Sequence, residues 1–204
     1  MENDTQPVSR ILFITGGARS GKSRYAQELA LQLSPTPRYV ATARRWDDDF
    51  GERIRRHRQD RDERWTSLEE EKYLSRLPLS GQTAVIDCVT LWLTNFFVDT
   101  NQDVERTLEA CKKEMDLLSH MVQQAPGTTL IVVSNEIGMG LHAETEAGRK
   151  FADLQGWMNQ YIAHLADRVT LMVSGIPLIV KPGGNETTGI NPISNKTNPG
   201  YFPE

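Results

Sequence analysis

The sequence has few cysteines and no long apolar run. Only Cys88 and Cys111 occur among its 204 residues, and their positions match neither a zinc-ligand spacing nor a disulfide framework. No stretch approaches the roughly 18 consecutive apolar residues of a membrane span, and the first residues lack the basic and apolar parts of a signal peptide. We therefore expect a protein of the reducing cytoplasm, without zinc and without a membrane span.

An overall excess of positive charge is also missing. The formal net charge is -4, which argues against a nucleic-acid binder that works through bulk positive charge. The hydrophobic fraction of 38% and the charged fraction of 25% are ordinary for a globular chain and exclude collagen-like and wholly disordered classes. Arginine is concentrated locally, because residues 38–64 hold nine arginines, whose planar groups suit phosphate binding.

Apolar runs and helical periods alternate along the chain, which is the pattern of a mostly parallel sheet flanked by helices. The pattern predicts strands at residues 10–15, 38–42, 83–88, 129–134 and 168–173, with a short edge strand at 176–180 that contains Pro177. It predicts helices at 20–33, 47–61, 67–77, 89–98, 103–124 and 144–166. The helix at 67–77 is inferred from a capping box formed by Ser67 and Glu70.

This alternation predicts an α/β fold in one catalytic domain, residues 1–181. Residues 182–204 are rich in proline, glycine and asparagine, a composition that cannot bury a core and predicts a C-terminal tail. The tail is either a dispensable extension or a segment held by a neighbouring subunit or by a groove of its own domain.

The strongest motif lies between the first predicted strand and the first predicted helix. It fits the pattern G-x-x-x-x-G-K-[ST] of a P-loop, and its residues are Gly16, Gly17, Ala18, Arg19, Ser20, Gly21, Lys22 and Ser23. In such a loop, backbone N–H groups surround a phosphate, the lysine reaches the β and γ phosphates, and the Ser23 hydroxyl ligates Mg²⁺. The alternative is a glycine-rich turn that happens to end in Lys-Ser.

A P-loop also requires a carboxylate for its metal, normally at the end of a neighbouring buried strand. Asp87 closes the apolar run 84–86, where a charge is costly unless a cation meets it. The alternative role for Asp87 is a helix cap for the segment that begins near Val89. The segments that follow the other strands should form the substrate rim. They are residues 41–43 together with the arginine-rich helix that follows, residues 135–140 and residues 174–175, and each is also compatible with ordinary turn chemistry.

His57 lies among arginines, with Arg55, Arg56, Arg58 and Arg61 beside it. A histidine on a charged helix is usually a solvated surface residue. Here the guanidinium groups disfavour the imidazolium form, so a neutral ring nitrogen could attack phosphorus while the arginines hold a triphosphate. The other three histidines have no such setting, and we interpret them as packing or surface residues.

The combined motifs resemble one family, the bifunctional adenosylcobinamide kinase and adenosylcobinamide-phosphate guanylyltransferases of cobalamin biosynthesis. The resemblance covers about residues 10–181. It depends on the segments 14–23 (ITGGARSGKS), 39–42 (YVAT), 53–61 (RIRRHRQDR) with Trp65, 87–95 (DCVTLWLTN), 134–140 (SNEIGMG) and 173–177 (VSGIP). Several unusual segments match in order, so the resemblance is more specific than the P-loop alone.

The resemblance implies a RecA-like P-loop NTPase fold and two reactions. The first phosphorylates the aminopropanol hydroxyl of adenosylcobinamide with a nucleoside triphosphate, ATP or GTP. The second transfers GMP from GTP to that phosphate through a GMP-histidine intermediate and releases pyrophosphate. His57 matches the nucleophile of the family, and Lys22 is the catalytic P-loop lysine. The implied nucleotide contacts are the P-loop, Thr42, Ala43, Arg58, Gln59, Asp60, Arg61, Glu69 and Asp87, with Ser23 and Asp87 as the Mg²⁺ ligands.

The resemblance leaves some features open. Relatives form trimers, so it implies a homo-oligomer, with no nucleic-acid partner. Asp62 and Glu71 stand where the family commonly has proline, and Asp87 stands where some relatives carry glutamate. Two other classes remain compatible with the sequence, namely a P-loop kinase without the guanylyl step and a nucleotide-binding regulator.

Overall fold

The computed structural model describes residues 10–44 and 62–183 and the backbone of residues 189–190. The strands are β1 (Arg10–Gly16), β2 (Arg38–Ala41), β3 (Thr66–Glu69), β4 (Thr83–Asp87), β5 (Thr129–Val133), β6 (Arg168–Val173), β7 (Ile176–Lys181) and β8 (Gly189–Ile190). The helices are α1 (Lys22–Leu33), α2 (Val89–Asp99), α3 (Val104–Gln124) and α4 (Glu146–Leu165), with a 3-10 turn at Leu74–Arg76.

The strands form one 8-stranded sheet in the order β3-β2-β4-β5-β1-β6-β7-β8. The six neighbouring strands β3, β2, β4, β5, β1 and β6 pair in parallel. Strands β7 and β8 extend the sheet beyond β6 with antiparallel pairs. Because parallel strands end on the same side, the segments after β1, β2, β3, β4, β5 and β6 leave the sheet at a single edge, called the carboxyl edge below. The predicted α/β architecture with a mostly parallel sheet is therefore confirmed.

The two faces of the sheet build two separate layers of core. On β1, Ile11 and Phe13 face a cluster that includes α2, α3 and α4, whereas Leu12 and Ile14 face a cluster that includes α1. This alternation follows from the period of two residues in a strand. Burying a side chain of this size contributes about 1.5–3 kcal/mol, so a slip of one residue would move both sets to the wrong layer.

The prediction of a helix at residues 67–77 is wrong. Thr66–Glu69 is strand β3, which pairs in parallel with the outer side of β2. The Glu70 carboxylate does act as a local cap, but it accepts from the backbone N–H groups of Lys72 and Tyr73, each at 2.9 Å. An open strand edge next to this segment offers backbone partners that a local capping signal does not reveal.

The remaining predicted elements have mixed outcomes. The other strands and the helices at α1, α2, α3 and α4 are confirmed within a few residues, whereas the predicted helix at 47–61 lies outside the described residues. Pro177 belongs to β7 as predicted, but β7 is not at the edge, because β8 pairs with Leu178 and Ile179. The pairing with β8 begins beyond the proline, which is why the missing N–H is tolerated there. Strand β8 consists of residues from the predicted tail.

Candidate functional site

Residues 16–23, called the phosphate loop below, connect β1 to α1 at the carboxyl edge. Arg19 and Gly21 have positive φ angles of 55° and 90°, and Gly21 is the N-cap of α1. Because glycine has no side chain, the first N–H groups of α1 are not capped by their own N-cap residue. A helix start of this kind binds an anion through its N–H groups and its dipole. The loop predicted from the motif therefore has the geometry of a phosphate site.

Neighbouring loops hold the phosphate loop in place through the backbone. The Glu136 N–H donates to the Gly16 carbonyl at 2.9 Å, and the Gly175 N–H donates to the Ser20 carbonyl at 3.0 Å. Gly16 itself must be glycine, because a Cβ there would lie 2.5 Å from the Met172 carbonyl oxygen. The loops after β5 and β6 thus fix the shape of the phosphate loop, as the prediction of a common rim requires.

Lys22 begins α1 and is only 7% exposed. Its Nζ donates to the Gly17 carbonyl oxygen at 2.5 Å and lies 3.5 Å from the Ser20 hydroxyl. Burial lowers the pKa of the Lys22 amine, although the charges of Asp87 and Cys88 act in the opposite direction. A phosphate in the loop would supply the negative charge that this buried cation needs.

Asp87 ends β4 and is half-buried. One carboxylate oxygen, Oδ2, accepts a hydrogen bond from the Tyr39 hydroxyl at 2.7 Å. The sequence analysis expected Asp87 on a strand next to β1. In the structure β5 lies between β4 and β1, so the two strands are not immediate neighbours. The alternative role as a helix cap is not supported, since the N-cap of α2 is Cys88 and no side-chain cap bond forms there.

Ser23 and Asp87 fit the predicted Mg²⁺ site by their chemistry. Mg²⁺ prefers oxygen ligands and is commonly held by one or two protein groups together with water and substrate phosphates. The Ser23 hydroxyl belongs to the first turn of α1, and the Asp87 carboxylate lies at the end of β4, so both are at the carboxyl edge. When bound, the ion would neutralise charge on the phosphates. Within the described ranges, no group of three or more His, Cys, Asp or Glu side chains could hold a metal by itself.

Thr42, Ala43 and Glu69 also lie at the carboxyl edge, just after β2 or at the end of β3. The Thr42 side chain is fully buried, and its hydroxyl accepts from the Cys88 N–H and donates to the Cys88 carbonyl, both at 2.8 Å. Thr42 therefore ties the end of β2 to the end of β4. Its N–H donates to the Asp87 carbonyl and its carbonyl accepts from Asn95, so every polar atom of Thr42 already has a partner within the protein.

The sequence analysis did not predict a polar network that joins α2 to the segments after β2 and β3, called the α2 network below. Its members are Arg44, Glu71, Lys72, Asn95 and Asp99. The Nδ2 of buried Asn95 donates to the carbonyls of Thr42 and Glu71 at 2.8 and 2.9 Å. Asp99 pairs with Arg44 at 2.9 Å and with Lys72 at 2.8 Å, and Arg44 also pairs with Glu71 at 2.6 Å. One signal was available, because an asparagine within an apolar helix requires buried partners. The network anchors both chain segments that flank residues 45–61.

We expect Asp99→Asn to destabilise the protein at neutral pH by about 1 kcal/mol, since the pairs are partly exposed. Hydrogen bonds from Arg44 and then Lys72 hold the pKa of Asp99 well below its usual range. A lowered carboxylate pKa stabilises the fold above the unfolded pKa of about 3.9, and this contribution is lost as the pH falls further. Urea unfolding should therefore show a constant difference between the two proteins above about pH 4 and a shrinking one below it.

The matched control is Glu28→Gln, which removes the exposed Arg24–Glu28 pair on α1. That pair is more exposed than the Asp99 pairs, so the variant should unfold at nearly the wild-type urea concentration. An equal loss in both variants would contradict a special role for the α2 network.

The loop after β5 brings apolar side chains to the carboxyl edge. Ile137, Met139 and Leu141 are exposed, while Asn135 at the start of the loop donates to the Thr90 hydroxyl at 3.0 Å. Behind it, buried Asn159 donates to the Asn135 carbonyl at 3.1 Å. The loop is thus fixed at its base and apolar at its tip, as a rim for a substrate with apolar surface would be.

The predicted nucleophile, His57, lies outside the described residues, as do Arg58, Gln59, Asp60 and Arg61. The other histidines, His120, His142 and His164, are exposed, in agreement with their interpretation as surface residues. Burial raises the pKa of the Cys88 thiol to about 12 and also raises that of Cys111. Neither thiol is therefore a ready nucleophile at neutral pH. No helix in the described ranges is long and apolar enough to cross a membrane.

Some known proteins resemble this chain in sequence, and others resemble it in fold. The bifunctional adenosylcobalamin biosynthesis protein CobP of Pseudomonas aeruginosa is 39% identical over 173 residues, 82% of this chain and 95% of that protein. Its counterpart CobU of Escherichia coli is 35% identical over 182 residues, 84% of this chain and 99% of that protein. The flagellar accessory protein FlaH of Methanocaldococcus jannaschii superposes with a TM-score of 0.50 at 13% identity, covering 91% of this chain and 90% of FlaH.

The likeness to FlaH concerns the fold alone, and together with the strand order and the phosphate loop it confirms the RecA-like P-loop class. The family model described as cobinamide kinase / cobinamide phosphate guanyltransferase matches residues 12–180. That range contains the phosphate loop, the Asp87 strand and the loop after β5. This chain therefore belongs to the cobinamide kinase / cobinamide phosphate guanyltransferase family.

Proposed function

We propose that this protein phosphorylates adenosylcobinamide with a nucleoside triphosphate and then transfers GMP from GTP to the product, giving adenosylcobinamide-GDP and pyrophosphate. The single observation that carries the proposal is the placement of Lys22 in the phosphate loop and of Asp87 at the end of β4, both at the carboxyl edge of a chain that matches the family over residues 12–180. The proposal includes a cytoplasmic homo-oligomer, a trimer by resemblance, whose mass light scattering would measure.

In the kinase step, the phosphate loop binds and orients the triphosphate. The backbone N–H groups at the start of α1 and the Lys22 ammonium face the phosphates, and the corrinoid hydroxyl attacks the γ-phosphorus in line. The bond from the γ-phosphorus to the bridging oxygen breaks, the nucleoside diphosphate leaves, and the hydroxyl proton is released. This step requires placement and charge rather than a protein nucleophile.

In the guanylyl step, we assign His57 as the nucleophile. A neutral ring nitrogen attacks the α-phosphorus of GTP, the bond to pyrophosphate breaks, and a phosphoramidate links GMP to the histidine. A phosphate oxygen of adenosylcobinamide phosphate then attacks the same phosphorus. The P–N bond breaks, and the imidazole returns to its free form. The transfer thus takes place in two displacements at the α-phosphorus, and the corrinoid phosphate does not have to attack GTP directly.

The decisive experiment incubates the protein with GTP labelled at either the α- or the γ-phosphorus. The proposal expects an acid-labile, alkali-stable protein adduct from the α-label that maps to His57 and moves to the corrinoid phosphate. It also expects transfer of the γ-label, from GTP or from ATP, to adenosylcobinamide. Labelled corrinoid from the γ-position alone would leave a P-loop kinase, and tight nucleotide binding without either transfer would indicate a regulator.

A further inference from the structure

Tyr39 contacts the carboxylate that the proposed function assigns to the metal. It lies on β2, directly opposite Val85 of β4, while Ala41 lies opposite Asp87. Because side chains alternate along a strand, Tyr39 and Asp87 project to the same face of the sheet, the face covered by α1. The Tyr39 hydroxyl donates to Asp87 Oδ2 at 2.7 Å.

The tyrosine is itself held firmly. Its side chain is 4% exposed, and its ring packs edge-to-face against Trp65, with centroids 6.1 Å apart and an angle of 80° between the planes. An aromatic pair of this geometry restricts ring motion and adds to the energy of burial. The hydroxyl is therefore presented to Asp87 from a fixed position, which is what a positioning group needs.

We infer that Tyr39 is a positioning residue for Asp87, and that its hydroxyl determines how well the site binds a divalent cation together with a nucleotide. This inference rests on the proposed function, in which Asp87 serves the metal. Engaging Oδ2 fixes the rotation of the carboxylate and leaves Oδ1 for the ion or its bound water.

Lys22 gives this restraint a second purpose. Lys22 at the start of α1 and Asp87 at the end of β4 both lie at the carboxyl edge, so a freely rotating carboxylate could swing toward the ammonium. Among the described residues, Lys22 Nζ bonds to Gly17 and Ser20 instead. The hydrogen bond from Tyr39 therefore keeps the metal carboxylate and the phosphate-binding cation as separate groups. Losing it would weaken cation binding first, because the Tyr39 hydroxyl acts on the Asp87 carboxylate.

The test compares Tyr39→Phe with Tyr161→Phe. Both changes remove only a hydroxyl that donates to an aspartate, since Tyr161 pairs with Asp116 between α4 and α3. The probe is Mn²⁺, whose binding to the protein with a β,γ-imido analogue of GTP is measured by electron paramagnetic resonance. We expect Tyr39→Phe to weaken Mn²⁺ binding about tenfold, the loss of one hydrogen bond to a charged group. Binding of the analogue in EDTA should stay within about twofold, because no cation is then present for Asp87 to hold.

Activity supplies a second readout. In Tyr39→Phe the Mg²⁺ concentration for half-maximal kinase rate should rise by about the same tenfold, while the rate at saturating Mg²⁺ stays near that of the wild type. Tyr161→Phe should match the wild type in every measurement. Asp87→Asn provides a further control, because adding Tyr39→Phe to it should weaken Mn²⁺ binding no further.

Each outcome decides the matter. Unchanged Mn²⁺ binding in Tyr39→Phe overturns the inference, and so does a loss of analogue binding in EDTA, which would indicate a packing role. If Tyr39→Phe fails to fold, Mn²⁺ binding that Asp87→Asn leaves unchanged would overturn the inference, because Asp87 would then not serve the ion. Weakened Mn²⁺ binding without any phosphate transfer to the corrinoid would instead retain the positioning role and reject the proposed function.

Discussion

Lys22→Met should lower the kinase kcat/KM by about 1,000-fold, the scale of removing one charged donor from a transition state. Lys22 is the buried cation of the phosphate loop, and its Nζ lies against the Gly17 carbonyl. Methionine matches the stem in length but carries no charge for the moving phosphoryl group. The measurement is the transfer of γ-labelled phosphate at several substrate concentrations.

The same substitution should not destabilise the protein without nucleotide. Burial lowers the pKa of the Lys22 amine, which means that folding disfavours its charged form. The unfolded lysine titrates near about pH 10.4. Between the lowered folded pKa and that value the unfolded chain binds more protons, so the wild type gains stability as the pH rises through this window.

Thermal unfolding against pH checks the sign of this effect. At pH 7 the melting temperature of Lys22→Met should equal or exceed that of the wild type. The variant should not show the rise in stability that the wild type shows as the pH becomes alkaline. The matched control is Lys113→Met, an exposed position on α3, which should change neither activity nor the pH dependence. A clear drop in the melting temperature of Lys22→Met alone would contradict the assignment of a buried charge whose cost its partners offset only in part.

His57→Ala should abolish guanylyl transfer while sparing the kinase. We expect a loss of at least about 1,000-fold in the covalent labelling of the protein by α-labelled GTP, because no other group replaces a deleted nucleophile. The kinase rate should stay within about threefold, since phosphoryl transfer at the phosphate loop uses no protein nucleophile.

Two comparisons make the result specific to His57. His120→Ala removes an exposed histidine of α3 that bonds to Gln124, and it should leave both activities unchanged. Added imidazole should partly restore GMP transfer in His57→Gly through a free guanylyl-imidazole. Comparable losses of both activities in His57→Ala would reject the separation of the two steps, and persistent labelling would reject His57 as the nucleophile.

Local sequence predicted the parts of the site that depend on short segments. The phosphate loop follows from glycine spacing between an apolar strand and a helix, and the structure places residues 16–23 there with Gly21 as the N-cap of α1. The helix start at Asp103 was likewise predictable, because its side chain accepts from the Arg106 N–H at 3.0 Å. These features involve residues within one turn of each other, where local energies decide the conformation.

Other parts could not be predicted because they depend on residues far apart in the chain. The capping signal at Ser67 and Glu70 favoured a helix, yet Thr66–Glu69 pairs as a strand with the open edge of β2. The contact between Tyr39 and Asp87 joins residues on strands that become neighbours only through the sheet order. The Asp99 pairs with Arg44 and Lys72 arise in the same way.

The sequence by itself determined the α/β alternation, the phosphate loop and the family. Each of these depends on residues that are close together, or that follow in a fixed order, along the chain. Only the tertiary structure decided which side chains surround Asp87 and Lys22, and that β5 lies between β4, which ends at Asp87, and β1, which leads into the phosphate loop. The physical reason is that strand order and burial are settled by the packing of the whole sheet and its helices. This packing cannot be predicted from a single segment of the chain.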